Sequence, residues 1–219
     1  MTAISERIAK HHHIWIGGEI LAYSLKVAST YIFAHATGAK ITARRDRYKT
    51  RKLGQAEAIE ARDVGTNVHL IVRHPLDRLV SNYVFWTKKA NSCIKDILEA
   101  DAAAHRVLMG TDNPTIEQWT EAAHAHYNGH WGKQWDYHTT PEGLLVPNVL
   151  WPMESLDKMP ATNDDLKNKS PRDKPSWEDY FTSSFRDEME DYYAKDIELY
   201  EKSKENWSGQ APTILLSPR

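Results

Sequence analysis

The sequence predicts an α/β layered domain with a largely parallel central sheet, and three observations carry that expectation. Val68-His69-Leu70-Ile71-Val72 is a continuous apolar run, the pattern of a strand buried on both faces. Arg73-His74-Pro75 follows it directly and opens an amphipathic helix. Strand-like and helix-like segments then alternate along the chain, the order that builds layered α/β architecture. With 219 residues, 41% hydrophobic and 26% charged, residues 1–219 read as a single globular domain able to bury a core without staples.

Taken in order, the first apolar segment spans 14–25 and is interrupted by Gly17-Gly18-Glu19, so it reads as one or two strands bent or turned at the glycines. After Lys26-Val27-Ala28-Ser29-Thr30, a helix-like run of Tyr31, Ile32, Phe33 and Ala34 ends near Gly38. In the helix after Val72, Pro75 suits the first turn and Asp77 the positive end of the dipole. Its apolar stripe is Leu76, Leu79, Val80, Tyr83 and Val84. Further helices are expected over 94–109 and 114–127, the second started by Asn113 with Pro114 behind it. Leu144-Leu145-Val146 and Val149-Leu150 form a third strand region broken by Pro147. Ser176-Trp177-Glu178-Asp179 looks like a capping-box start, and one longer helix is expected from about Phe185 to Lys204.

Composition narrows the function classes. A lone cysteine, Cys93, excludes an intrachain disulfide framework and a cysteine-built zinc site, and it fits a reducing compartment. A net charge of −2 gives no global pull toward nucleic acid or an anionic membrane. No apolar run reaches the roughly 18 residues of a membrane span, and the polar, His-rich start lacks a signal-peptide core. The expected location is cytoplasmic, with no nucleic-acid partner and no membrane span.

In open α/β sheets, ligands sit beyond the carboxyl ends of the strands. Two loops of that kind suit anions. Lys26-Val27-Ala28-Ser29-Thr30 offers one cation, then small residues that let backbone N–H groups approach a phosphate, then two hydroxyls at a helix start. Its plain alternative is an ordinary strand–helix turn. In the second loop Arg73 leaves the strand, and Arg78 and Ser81 lie three apart on the following helix. Ser81 is off the apolar stripe, and an arginine can hold a phosphate bidentately. The alternative there pairs Arg78 with Asp77 or another surface acid.

These two stretches, Lys26 to Thr30 and Arg73-His74-Pro75-Leu76-Asp77-Arg78-Leu79-Val80-Ser81-Asn82-Tyr83, resemble the nucleotide-binding loops of sulfotransferases that use 3′-phosphoadenosine 5′-phosphosulfate (PAPS). The likeness is to the group containing the Golgi carbohydrate sulfotransferases. It continues in His130-Trp131-Gly132-Lys133-Gln134, similar to a His-x-x-x-Gln stretch, and in Met153-Glu154-Ser155-Leu156, similar to a Glu-x-Leu segment after a strand. Asn168-Lys169-Ser170 and Tyr193 with Asp196 resemble the family's C-terminal features, so the likeness covers about residues 14–205.

The resemblance implies a three-layer α/β/α, P-loop-NTPase-like sulfotransferase fold with a central, mostly parallel sheet. Lys26 would hold the 5′-phosphosulfate and neutralise the leaving oxygen, while the main chain of Val27, Ala28, Ser29 and Thr30 cradles the 5′-phosphate. Arg73 and Ser81 would bind the 3′-phosphate of PAPS and of its product PAP. Lys167, Lys169 and Arg172 would close over the nucleotide. His74 stands where the family commonly has Asp, which removes any supporting role of that acid. The familiar eukaryotic members carry a membrane anchor not found here, which implies a soluble bacterial or viral member.

Sulfonate transfer needs a cation at the leaving oxygen and a base at the attacking hydroxyl. Lys26 can supply the first without a metal, and no acidic cluster calls for magnesium. Base candidates are His130, His35, Glu57 and His69; His130 is preferred because a near-neutral pKa suits a base and it lies in the family-like stretch. Trp119, Tyr127, Trp131, Trp135 and Tyr137 would either stack on a ring acceptor or fill the core. His124, His126 and His130 suggest a metal only weakly, since residues two apart on a helix face different ways and no carboxylate completes a set. The basic run Arg44, Arg45, Arg47, Lys49, Arg51 and Lys52 is either a solvated face or a steering patch for anions. Asp196, within the helical stripe, is expected to accept hydrogen bonds from a tyrosine or the backbone.

The leading reading is thus a sulfotransferase that moves a sulfonate from PAPS to a hydroxyl, of a carbohydrate by preference. The alternatives are an ATP-dependent P-loop kinase and a non-catalytic polyanion-binding module. The kinase is disfavoured because the lysine-led loop lacks the Gly-rich Gly-Lys-Ser/Thr arrangement that wraps a triphosphate.

Overall fold

In the computed structural model the described residues are 13–16, 19–22, 24, 52–84, 87, 114–125, 131–158 and 176–205. They form an α/β structure around a five-stranded sheet of order β3-β1-β2-β4-β5. The strands are β1 (His13–Ile16), β2 (Glu19–Ala22), β3 (Lys52–Leu53), β4 (Val68–Val72) and β5 (Val149–Pro152). The helices are α1 (Gln55–Asp63), α2 (Pro75–Val84), α3 (Ile116–Ala125), α4 (Gln134–His138), α5 (Ser183–Tyr192) and α6 (Ala194–Glu205). The expected helices after Thr30 and over 94–109 lie outside the described residues.

β2, β4 and β5 are parallel neighbours, in register through Ala22 opposite Leu70 and Leu70 opposite Leu150. The rest of the sheet departs from the parallel expectation. β1 runs antiparallel to β2, with Ile16 opposite Glu19, and β3 runs antiparallel to β1. The reason lies in the connection: Gly17-Gly18 is too short for a crossover and can join only antiparallel strands. The segment read as one or two strands is two.

β4 lies between β2 and β5, and every residue in it is buried. Its alternation divides the core. Val68, Leu70 and Val72 face Ile20, Ala22 and Leu150 together with Ala58 of α1 and Leu199 and Tyr200 of α6. Ile71 packs on the other face with Leu21 and Trp151. A third cluster joins helices to one another: Leu76, Leu79 and Val80 of α2 meet Ile116, Trp119 and Ala123 of α3 and Phe185 and Met189 of α5.

Helix boundaries differ from expectation for local reasons. α3 begins after Thr115, whose N–H bonds to Gln118 Oε1 at 3.0 Å while Gln118 N–H returns to Thr115 Oγ1 at 3.3 Å. This reciprocal cap sits at the start of the helix; Asn113, expected there, lies outside the described residues. Ser176 caps no helix with its side chain; its hydroxyl donates to the Glu178 carboxylate, and a single 3-10 turn follows over Trp177–Tyr180. The single C-terminal helix is two, α5 and α6, divided at Tyr193 (φ −98°, ψ 18°). The backbone bonds bridge the break, from Tyr193 N–H to Met189 O and from Ile197 N–H to Tyr193 O.

Leu70 is fully buried in the middle of β4. Leu70→Ala is expected to cost about 2–5 kcal/mol, read as a lowered urea midpoint with unchanged slope. A cost below 1 kcal/mol would mean that β4 is not the core of the fold.

Candidate anion-binding site

The carboxyl ends of β2 and β4 leave the sheet side by side, because the two strands are adjacent and parallel. β4 leads straight into Arg73, and β2 leads through Ser24 toward Lys26. Both exits are held by α4. The Gln134 side-chain amide pairs with the Arg73 backbone: Arg73 N–H donates to Gln134 Oε1 at 3.2 Å, and Gln134 Nε2 donates to Arg73 O at 2.8 Å. The side chain thus imitates a neighbouring strand for one residue beyond β4. One turn later, His138 Nε2 lies 2.8 Å from Ser24 Oγ in a buried hydrogen bond. Residues spaced i and i+4 share a helix face, so one short helix grips both strand ends.

α4 is itself fixed by a buried charge. Asp196, on the first turn of α6, accepts the N–H groups of Gln134 and Trp135, each at 2.8 Å. Arg78 Nη2 stands 4.0 Å from the same carboxylate, and its guanidinium also donates to Gly132 O. Burial pushes the Asp196 carboxyl up, against the pull of Arg78 and of the two amide donors. Tyr193 completes the hold: its hydroxyl donates to Trp131 O at 3.2 Å and lies 3.0 Å from His124 Nε2.

Arg73 Nε donates to Asp77 Oδ2 at 2.6 Å, which orients the guanidinium along the first turn of α2. The arginine and acid pairing therefore differs from expectation. Asp77 takes Arg73, while Arg78 is buried and serves Asp196 rather than a surface acid. Ser81 is half-buried, one turn along α2 from Asp77. Lys26, Val27, Ala28, Ser29, Thr30, His35, His126, Tyr127, His130, Lys167, Lys169 and Arg172 lie outside the described residues. So does the basic run apart from the backbone of Lys52 in β3.

Several other candidates are occupied within the fold. His69 is the second residue of β4, away from the carboxyl edge. The Trp151 indole, which can only donate, bonds to His69 Nδ1 at 3.2 Å, so the ring proton sits on Nε2, 3.3 Å from Glu19. Burial lowers the pKa of His69 against the opposing charge of Glu19. Glu57 accepts the Gly54 N–H at 2.8 Å and serves as the cap of α1. Trp119, Trp131 and Tyr137 are buried, with the two indoles edge to face at 5.8 Å, which favours core filling over stacking on an acceptor. Asp196 accepts from the backbone, as its place in the stripe suggests. Among the described residues no group of His, Cys, Asp and Glu is gathered to hold a metal.

His74 stands against the Trp177 ring at 4.7 Å and meets the edge of Tyr200 at 5.2 Å. Burial lowers its pKa, although Asp77, Glu201, Glu154 and Glu178 act in the opposite sense. It thereby ties the start of α2 to the 3-10 turn and to α6. Tyr200 in turn donates to Glu154 at 2.9 Å, just beyond β5.

His138 and Ser24 belong to no family-like motif, and Gln134 lies in one without an assigned role. In the sequence they are marked by a Gln and a His at helical spacing in a stretch rich in aromatic residues. Burial, and after it the Lys133 charge, lowers the pKa of His124 from 6.5 to about 4. The folded chain thus refuses a proton that the unfolded chain accepts. The contribution of His124 to stability is complete above pH 6.5 and is lost as pH falls through about 4. In His124→Phe, which keeps a ring on Tyr192, the fall in melting temperature across that window is expected to be shallower than in the parent. An unchanged slope would assign the proton uptake elsewhere. Among the described residues no helix is long and apolar enough to cross a membrane. Comparison of the chain with protein-family models, with curated proteins and with solved structures finds no match.

Proposed function

We propose that the chain is a PAPS-dependent sulfotransferase of the three-layer, P-loop-NTPase-like kind, a cytoplasmic enzyme acting on a hydroxyl of a carbohydrate. The observation that supports this reading is the grip of α4 on two neighbouring strand exits. Ser24, just before the lysine-led loop, and Arg73, at the head of the arginine-led loop, are anchored by two side chains of one helix. A donor with phosphate groups at both ends of an adenosine requires two cationic loops at a fixed separation, and rigid elements hold such spacing better than loops do.

Within this reading Arg73 and Ser81 bind the 3′-phosphate, and the amides from Val27 to Thr30 receive the 5′-phosphate. Lys169 and Arg172 cover the nucleotide. The Asp77 carboxylate orients Arg73 but cancels one unit of positive charge at the strand end, so Lys26 supplies the net attraction for the donor. In the transfer, the acceptor oxygen bonds to sulfur as the bond from sulfur to the phosphate oxygen breaks. Lys26 neutralises the charge that develops on that oxygen, and His130 removes the acceptor proton. No step calls for a metal.

Thermal shift separates this reading from its competitors. Stabilisation by PAP is expected; a response to ADP with magnesium alone would indicate a kinase, and a salt-sensitive response to heparin alone a polyanion-binding module. Lys26→Ala is expected to abolish most turnover. Arg73→Ala should weaken PAP binding by about 1.5–3 kcal/mol, the scale of a charge-assisted hydrogen bond. Unchanged PAP affinity in both Arg73→Ala and Ser81→Ala would remove the 3′-phosphate assignment, and a near-parental rate in His130→Ala would move the base elsewhere.

A further inference from the structure

We infer that Gln134 is the positioning residue that sets Arg73 for recognition of the 3′-phosphate, an inference that rests on the sulfotransferase reading. A side-chain amide has one acceptor oxygen and a donor NH₂, the complement of one backbone N–H and C=O. Gln134 spends both on Arg73, at 3.2 Å and 2.8 Å, and is itself fully buried. Its own N–H is held by Asp196 at 2.8 Å, so the amide is locked at its root as well as its tip.

The residue held in this way lies at the junction of strand and helix. Beyond Val72 the ladder to β5 ends at Pro152, so Arg73 has left the sheet and has not yet entered α2. Without Gln134, a part-buried backbone N–H and C=O at this junction would lose these two bonds, and the chain would turn to recover them. Such a turn would carry the Arg73 guanidinium with it. The Asp77 contact does not prevent this, because it constrains the side chain and not the peptide.

His138 supplies an internal comparison. It sits on the same face of α4 and bonds Ser24 at the other strand exit. Loss of Gln134 should therefore affect the end of the ligand that carries the 3′-phosphate, whereas loss of His138 should affect the 5′ end, which AMP shares with PAP.

The test is calorimetric titration of the full chain with PAP and with 5′-AMP, which lacks the 3′-phosphate. The readout is the ratio of the two affinities, which general loosening of the fold would not change selectively. In Gln134→Met, a close isostere without the amide, the preference for PAP over AMP is expected to fall about ten-fold while AMP affinity stays near the parental value. In His138→Leu both affinities should fall together and the ratio should hold. Gln134→Glu keeps the acceptor for Arg73 N–H but sets a carboxylate against Arg73 O, so it should also lose preference, and it carries the test if the methionine variant does not fold. If the parent prefers PAP and both Gln134 variants keep its ratio, or lose AMP and PAP affinity equally, this inference is overturned while the sulfotransferase reading stands. If the parent shows no preference for PAP, the sulfotransferase reading itself fails.

Discussion

The rest of the site depends on one buried carboxylate. Asp196 is shut away from water, and an ion in that position is tolerated only when its lone pairs are used and an opposite charge is near. Two amide donors from the start of α4 and the Arg78 guanidinium meet those requirements. A buried pair of this type adds little net stability compared with apolar side chains of similar volume, but it is intolerant of rearrangement. That intolerance is its use here: it ties α6, α2 and α4 into one geometry. α4 has only five residues, too short to persist by its own helix propensity.

From Asp196 the constraint passes outward through ordinary chemistry. The fixed α4 presents Gln134 to Arg73 and His138 to Ser24, and Arg73 is further oriented by Asp77. Tyr193 fastens the approach to α4 at Trp131. The kink between α5 and α6 has a role in this. Tyr193 leaves helical geometry at the C-cap of α5 while Asp196 lies in the first turn of the next helix, so two inward groups close in sequence reach different parts of the 131–135 segment.

Much of this was legible in the sequence, and the limits have physical causes. β4 and α2 were plain because their patterns are local: a run of apolar residues, then proline and an apolar stripe. The hairpin of β1 and β2 was ambiguous because paired glycines are compatible with a bend as well as a turn. The kink at Tyr193 was invisible because the apolar spacing continues through it. Arg73 and Ser81 stand out in the sequence only as candidates, by their place after a strand, and the partner of each arginine cannot be read from it. Asp77 is close in sequence to both Arg73 and Arg78, and only tertiary contact shows that the remote Asp196 takes Arg78. Gln134 and His138 were hidden for the same reason, since their partners are far away along the chain.

The described sheet has a further property at its two margins. On one side β3 is a mere two residues, one of them a lysine; on the other, β5 finishes at Pro152, which has no N–H to offer. Short, charged or proline-bearing borders make poor templates for a foreign strand. Among the described residues, the two borders of this apolar sheet therefore offer little for edge-to-edge pairing.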